Sequence, residues 1–414
     1  MIDLDRRSFL AAGTVAAFVA ASTPLRARTD ARVRSISAMT LAPDGRLVVA
    51  DWRAGALHVL DLPDAQPASD MPFNLMALDE ALSTLSPGRV RATALVWHPS
   101  TQRAVIAAEA GGQPFLALTA ADGAVVTIDP DTLLATSISL SDLPGEGMIW
   151  NDTPARSLTV TGLSWQGSSL LVAGVANTDF SSTLRRLPYP FAGTATMARI
   201  EMYHAVHNQL ETRAPIRAMA TVSLGGTEHL LAAYTCTPLV IFPVSDLVDG
   251  ASVRAKTIAE LGFGNTPLAI ATFSLQDQGQ TSEWVLVANA AKSADLIPLP
   301  AIAEAAAGPG LSSPVKAPFQ QFAGVQSIPV PLGNLVALVD QGPQFLLALR
   351  RASETGGLEL VSIRKGAFFR LSDFINEYDM PGYAYPADDA FQQGYIRPFH
   401  AMMKRDEGYG DLVR

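Results

Sequence analysis

Leu47-Val48-Val49-Ala50-Asp51, a Gly-containing break, and then His58-Val59-Leu60-Asp61-Leu62 form the stretch on which the reading of this chain turns. Both runs are rich in branched and small apolar residues and too short for helices, so they read as consecutive strands joined by a turn. The four apolar residues before Asp51 do not alternate with polar ones. Such a strand is expected to be covered on both faces.

The same pair recurs along the chain. Apolar runs ending on a polar residue lie at 47–51, 104–109, 170–177, 230–235, 284–289 and 335–340, and each is followed by a break and a further strand, at 57–62, 115–118, 183–187, 239–244, 295–299 and 345–350. Upstream strands begin near Ile36, Thr93, Val160, Ile216, Leu268 and Ile328, which spaces the units about 50 to 70 residues apart, as for four-stranded blades with insertions. The fold expected is all-β: a six-bladed β-propeller, or alternatively a seven-bladed one, because 63–90 and 190–214 are each long enough to hold further strands. Helical periodicity is confined to 77–85 and 301–307, read as connecting helices or turns. The 31 Gly and 28 Pro among 414 residues, with 17% charged, suit many short strands joined by turns.

At the N-terminus, Asp5-Arg6-Arg7-Ser8-Phe9-Leu10 precedes an uncharged, mostly small and apolar stretch that runs to Pro24, the next charge being Arg26. That is the order of a signal peptide. The stretch is shorter than the roughly 20 apolar residues of a membrane-spanning helix, so no stable membrane span is expected. The arrangement resembles the twin-arginine signal family, with Arg6, Arg7, Phe9 and Leu10 in the motif positions and Asp5 where Ser or Thr is usual. The resemblance implies recognition by the twin-arginine translocase and a periplasmic destination. Cleavage after Ala21 and after Ala27 both fit. The chain thus divides into a signal peptide (1–30), a propeller (31–365) and a tail (366–414). The tail holds five of the eight tyrosines and is expected to pack across the last blade, a lid or partner-docking segment being the other reading.

The formal net charge is −9, and becomes −10 without residues 1–27, which excludes nucleic acid as an expected partner. A single cysteine, Cys236, excludes an intramolecular disulfide and leaves stability to the packed core. Signatures of haem attachment, nucleotide-binding loops, the serine-hydrolase elbow and helical zinc-protease motifs are missing. The five tryptophans do not recur once per blade, which separates the chain from quinoprotein dehydrogenase propellers.

The segments quoted at the outset resemble the gluconolactonase-like and NHL-like propellers. The stretches Phe180-Ser181-Ser182-Thr183-Leu184-Arg185-Arg186 and Tyr234-Thr235-Cys236-Thr237-Pro238 resemble those of exported bacterial propellers, a kinship that carries no chemistry of its own.

The breaks after the second strands hold Asp51, Glu109, Asn177 with Asp179, Thr235 with Cys236, Asn289 with Lys292, and Asp340. If equivalent, they gather on one face near the axis. Two readings fit them. They are turn residues whose side chains satisfy backbone amides, or they form a rim of oxygen ligands suited to a divalent cation such as calcium. By the gluconolactonase resemblance, Glu109 or Asp340 would hold a metal and another acid would act as general base. Cys236 reads as a small buried residue, a thiol ligand or an intermolecular disulfide partner. His204 and His207 are not expected to bind zinc, on the ground that no third ligand such as a spaced Cys or Glu follows them. Three functions follow: a periplasmic propeller binding a small ligand or a partner protein through its polar axial rim, a metal-dependent hydrolase of lactonase type, or an accessory of an exported redox enzyme.

Overall fold

Val, Leu, Ile and Ala runs broken by Gly, Asp and Asn produce antiparallel hairpins along the whole described chain. The computed structural model describes residues 32–368 apart from 86–88, 237, 263–264, 278, 316–322 and 354, and also 27–28, 390 and 393–394. Arg6, Arg7, Phe9 and Leu10 of the export signal lie outside the described residues, as do the tail tyrosines. No described helix is long and apolar enough to cross a membrane.

The described residues form six units built on four strands each, blade I carrying Ala27–Arg28 as a fifth on its outer edge. From the inside outwards, blade I is Ala38–Leu41, Leu47–Asp51, Ala56–Leu60 and Ala135–Ser139. Blade II is Val90–His98, Arg103–Ala110, Gln113–Thr119 and Val125–Ile128. Blade III is Gly162–Gln166, Ser169–Val175, Ser182–Pro188 and Thr196–His204, and blade IV is Ala218–Leu224, Thr227–Ala233, Pro238–Pro243 and Ser252–Glu260. Blade V is Pro267–Asp277, Gln280–Asn289, Ala294–Pro298 and Ile328–Val330. Blade VI is Leu335–Asp340, Phe345–Arg351, Leu358–Arg364 and the short Asn74–Leu75.

Their inner strands close a ring, which makes the fold a β-propeller. Around the axis the neighbours run I, III, IV, V, VI, II and back to I, an order that differs from the chain order. The chain leaves blade I after three strands and lays Asn74–Leu75 on the edge of blade VI. It then builds blade II, and returns to add Ala135–Ser139 to blade I. Two composite sheets therefore flank blade II. Phe73 anchors the first of them, its N–H donating to Ser362 Oγ at 2.8 Å and its carbonyl accepting from Ser362 N at 2.9 Å.

Six apolar clusters fill the six seams between neighbours. Covered on both sides, the second and third strands hold continuous buried runs, which take in every residue of Leu47–Asp51 and Ser169–Val175. The helix α1 (Leu78–Leu85) sends Leu78 and Leu82 into the seam between II and VI, and α2 (Leu299–Ala307) sends Ile302 into that between IV and V. Both fall where helical periodicity is read in the sequence. Outer strands of blades III and IV also pair in parallel, from Arg199 with Ser252 to Met202 with Ala255.

The sixth unit is displaced by one strand from its sequence reading. Ile328–Val330 closes blade V, Leu335–Asp340 is the innermost strand of blade VI, and Phe345–Arg351 is its second. The cause is the long connection through α2, which delays the fourth strand of blade V until just before the next blade. An apolar run reports burial, not distance from the axis.

Asp51 ends the second strand of blade I fully inside the blade. Its carboxylate accepts from Arg34 N (2.6 Å), Ser35 Oγ (2.7 Å) and Ala54 N (3.0 Å) and meets His58 Nε2 at 3.3 Å, while His58 Nδ1 lies 2.6 Å from Ser137 Oγ. Acid, imidazole and hydroxyl thus link three strands in a row that is sealed from solvent. Burial pushes the Asp51 carboxyl up, but the bonds from His58, Arg34, Ser35 and Ala54 outweigh it and hold the pKa below the ordinary value. With the folded pKa below the unfolded one, this stabilisation is complete above about pH 4 and is lost as pH falls through the lower folded value. Denaturant unfolding of Asp51→Asn should show a loss of about 2 kcal/mol at pH 7. Between pH 5 and pH 2.5 its stability should fall less than that of the parent, and identical acid limbs would show that Asp51 is not a source of acid sensitivity.

Candidate functional site

All six inner strands run in the same direction, so each starts at a first mouth of the ring and ends at a second. Between the mouths lies an axial cavity of about 540 Å³. Most residues along its wall are apolar by type, with Met39, Leu95, Trp97, Leu163, Met219, Leu268 and Leu338 among them, but strand backbone and the side chains of Ser37, Thr40, Thr93 and Thr161 make the exposed wall more polar than apolar. Arg217 and Asp340 are the charged residues of its described lining.

A repeated contact marks the first mouth. Ser37 Oγ and Thr93 Oγ1 each donate at 3.3 Å to the carbonyl of an alanine in the adjacent second strand, Ala50 and Ala107, and Thr161 Oγ1 lies equally near Ala173 O but donates at 2.5 Å to Ile216 O of the neighbouring blade. Backbone N–H groups of Ser37 and Thr161 bond the same carbonyls, at 2.9 and 2.8 Å. In blade IV the residue whose N–H bonds the corresponding Ala233 carbonyl, at 2.9 Å, is Arg217. A guanidinium therefore stands where blades I and III carry hydroxyls. Its Nε is buried without a hydrogen-bond partner, and burial pushes its pKa down.

A second cavity, of about 750 Å³, lies beside blades I and II and is lined by Asp44, Arg46, Asp61, Asp64 and His98 among others. Asp44 there is already bonded to Tyr189 and Arg46, whose hydrogen bonds outweigh the upward push of burial and hold its pKa low. The axial cavity, with the Arg217 guanidinium among its lining residues, is the stronger ligand site.

The residues at the strand breaks are placed differently from one another. Asp51 and Asn289 are buried within blades, Asn289 Nδ2 donating to Asp295 Oδ2 at 2.9 Å. Glu109 pairs with Arg91 at 3.4 Å. Asn177 and Asp179 stand on an exposed loop, where Asn177 N bonds Asp142 O and Asp179 O accepts from Arg213 Nε. Cys236 is half-buried in a left-handed turn at φ 70°, its N–H donating to Asn265 O. Asp340 ends an inner strand and so lies at the second mouth, opposite the others, held by Lys365 Nζ at 2.6 Å and Gly342 N at 2.7 Å. The described residues thus do not gather this set into one cage on the axis. A residue ending a second strand sits one strand spacing, about 4.8 Å, farther out than the inner strand.

A different cluster assembles at the outer edge of blade III. Thr196–His204 turns back into Gln209–Glu211, pairing His204 with Gln209 and Met202 with Glu211, and His207 stands in the turn between. Glu211 Oε1 lies 2.9 Å from His204 Nδ1 and 2.6 Å from His207 Nδ1. The two rings are tilted, with centroids 3.8 Å apart. Burial raises the Glu211 pKa, but the bonds from both imidazoles overcome it and bring it to about 2. Behind His204, Glu260 Oε2 lies 3.8 Å from Nε2, and Glu260 Oε1 accepts from Ala205 N at 2.7 Å. The expectation that no third ligand follows His204 and His207 is overturned. Glu211 lies four residues beyond His207, and the hairpin folds it back onto both rings.

No protein-family model matches the chain, and neither does any curated protein. Among solved structures it is similar to Drosophila Semaphorin 1b, extracellular domains 1–2, at 10% identity over 83% of this chain and 87% of that one, with a TM-score of 0.38. It is also similar to the Dos1 propeller, at 8% identity over 80% and 70%, TM-score 0.30. A candidate 6-phosphogluconolactonase of Bacteroides fragilis matches at 13% identity over 81% and 86%, TM-score 0.29.

Because Arg217 is a partly desolvated charge with an orphaned donor, Arg217→Thr should raise the denaturant midpoint, by about 1 kcal/mol of stability. A loss of stability instead would mean that the guanidinium supports the ring.

Proposed function

We propose that this chain is a periplasmic β-propeller, exported through the twin-arginine translocase, that binds a small ligand with an anionic group on an apolar body in its axial channel. The observation that carries this reading is Arg217, a guanidinium in place of a repeated hydroxyl in the lining of the channel, beside Met, Leu and Trp side chains. The volume of about 540 Å³ suits such a ligand, since small-molecule sites span roughly 300–1,000 Å³ and combine apolar walls with a few fixed polar groups. A planar guanidinium matches a carboxylate or phosphate edge. The lactonase alternative has less support, because the acids named for it are held apart in the blades.

Thermal unfolding of the purified full chain with octanoate, phenylacetate, their uncharged alcohols and inorganic phosphate tests the reading. A carboxylate on an apolar body should raise Tm where its alcohol does not, and Arg217→Gln should weaken binding at least tenfold. Equal binding by Arg217→Gln, or alcohols as effective as acids, would remove Arg217 from the site.

Export is separately testable. With Arg6 and Arg7 both changed to Lys, cell fractionation should find the chain in the cytoplasm. Continued appearance in the periplasm would contradict the twin-arginine route.

A further inference from the structure

The seam between the outer edges of blades III and IV holds a cluster that neither the ring nor the axial channel requires. His204, His207 and Glu211 each place a ligand atom within 4.8 Å of the other two. A tetrahedral zinc with bonds of about 2.0–2.2 Å needs its ligand atoms about 3.3 Å apart, so modest side-chain rotation suffices. The geometry points to a site for a divalent first-row transition ion of the zinc class, bound by His204 Nδ1, His207 Nδ1 and a Glu211 carboxylate oxygen, with Glu260 as the outer partner of His204. Two imidazoles favour such an ion over calcium or magnesium, which prefer all-oxygen shells.

Two orphaned atoms supply an independent reason. His204 and Glu260 are both about 1% exposed, and neither His204 Nε2 nor Glu260 Oε2 has a hydrogen-bond partner, although they face each other at 3.8 Å. Glu211 Oε1 takes the Nδ1 proton of His204 in the metal-free arrangement. A neutral ring then turns a bare Nε2 towards Glu260 Oε2, and with Glu260 ionised two lone pairs meet in a dry seam. A metal at Nδ1 displaces that proton and fixes the other tautomer. Nε2–H now donates to Glu260, as metal-bound histidines do to their carboxylate partners. The ion's two positive charges balance Glu211 and Glu260. His207, 41% exposed, leaves a path for the ion and an open fourth position for water.

A doubly protonated His204 shared by Glu211 and Glu260, or a protonated Glu260 facing Nε2, is the competing metal-free account of the same distances, and zinc binding separates these from the site. The full chain, stripped with EDTA and dialysed, is titrated with zinc chloride by calorimetry, with calcium chloride as control and cobalt chloride followed by visible absorption. The expected result is one zinc per chain, no calcium uptake, and the intense bands of tetrahedral cobalt. His207→Ala alters an exposed turn residue, should leave the circular dichroism unchanged, and should weaken zinc at least tenfold. Glu260→Gln should weaken it about 10- to 100-fold without changing the stoichiometry. The site is refuted if the parent takes up no stoichiometric zinc, if folded His207→Ala and Glu211→Gln bind as the parent does, or if cobalt gives only the faint octahedral spectrum.

Discussion

Closure of the ring is the constraint on which the other features depend. Each blade has two apolar faces and can bury both only with a neighbour on either side, so an open array would leave two faces wet. Here closure falls on blade II, which is seated between the first and last blades of the ring. The strand before it completes blade VI and the strand after it completes blade I, so both seams of blade II are bridged by hydrogen-bonded chain. Removing blade II from the ring would strip the edge from two other sheets. The same closure fixes the width of the axial channel, because all six inner strands are held at once.

Much of the architecture is legible in the sequence, and the parts that are not share one cause. Blades I to V appear as strand triplets because two-sided burial erases alternation, and α1 and α2 appear because they alone show helical spacing. Neighbour relations are not written in an apolar run. Nothing in Asn74-Leu75 or Ala135–Ser139 says that the first belongs to blade VI and the second to blade I, and the three residues Ile328–Val330 pass as the start of a blade rather than the end of one. Asp51 shows the same limit for chemistry. A carboxylate after an apolar strand fits a metal ligand and a turn cap equally well, and four donors within the blade make it the second.

The two sites argued above are visible where local rules fail. Blades I and II spend a hydroxyl on an alanine carbonyl at the first mouth and blade III places one there that donates to Ile216 O, while blade IV supplies a guanidinium whose Nε finds no partner. Sequence comparison of the units could have found this, because Arg217 stands next to Ile216, the residue that opens the unit. The histidine cluster was hidden by a different assumption. No metal-ligand spacing marks Glu211 in the linear sequence, but the strand ends at His204 and Asn208 takes a left-handed turn at φ 52° that brings Glu211 back.

The positions of the uncompensated charges connect these observations. Among the described residues, the carboxylate and guanidinium groups whose pKa burial displaces towards the neutral form are Arg185, Arg217 and Glu260. All three belong to blades III and IV. Elsewhere Asp51 is satisfied by His58 and Ser35 and Glu359 by Arg350 at 2.8 Å, although Arg103 Nε of blade II is also buried without a partner. A desolvated, incompletely bonded charge opposes folding, and a ring with six apolar seams is able to carry a few of them. Their concentration in one third of the ring, with Arg217 at the inner wall and Glu260 at the outer edge, is consistent with the two sites proposed above, while Arg185 lies between them in the third strand of blade III.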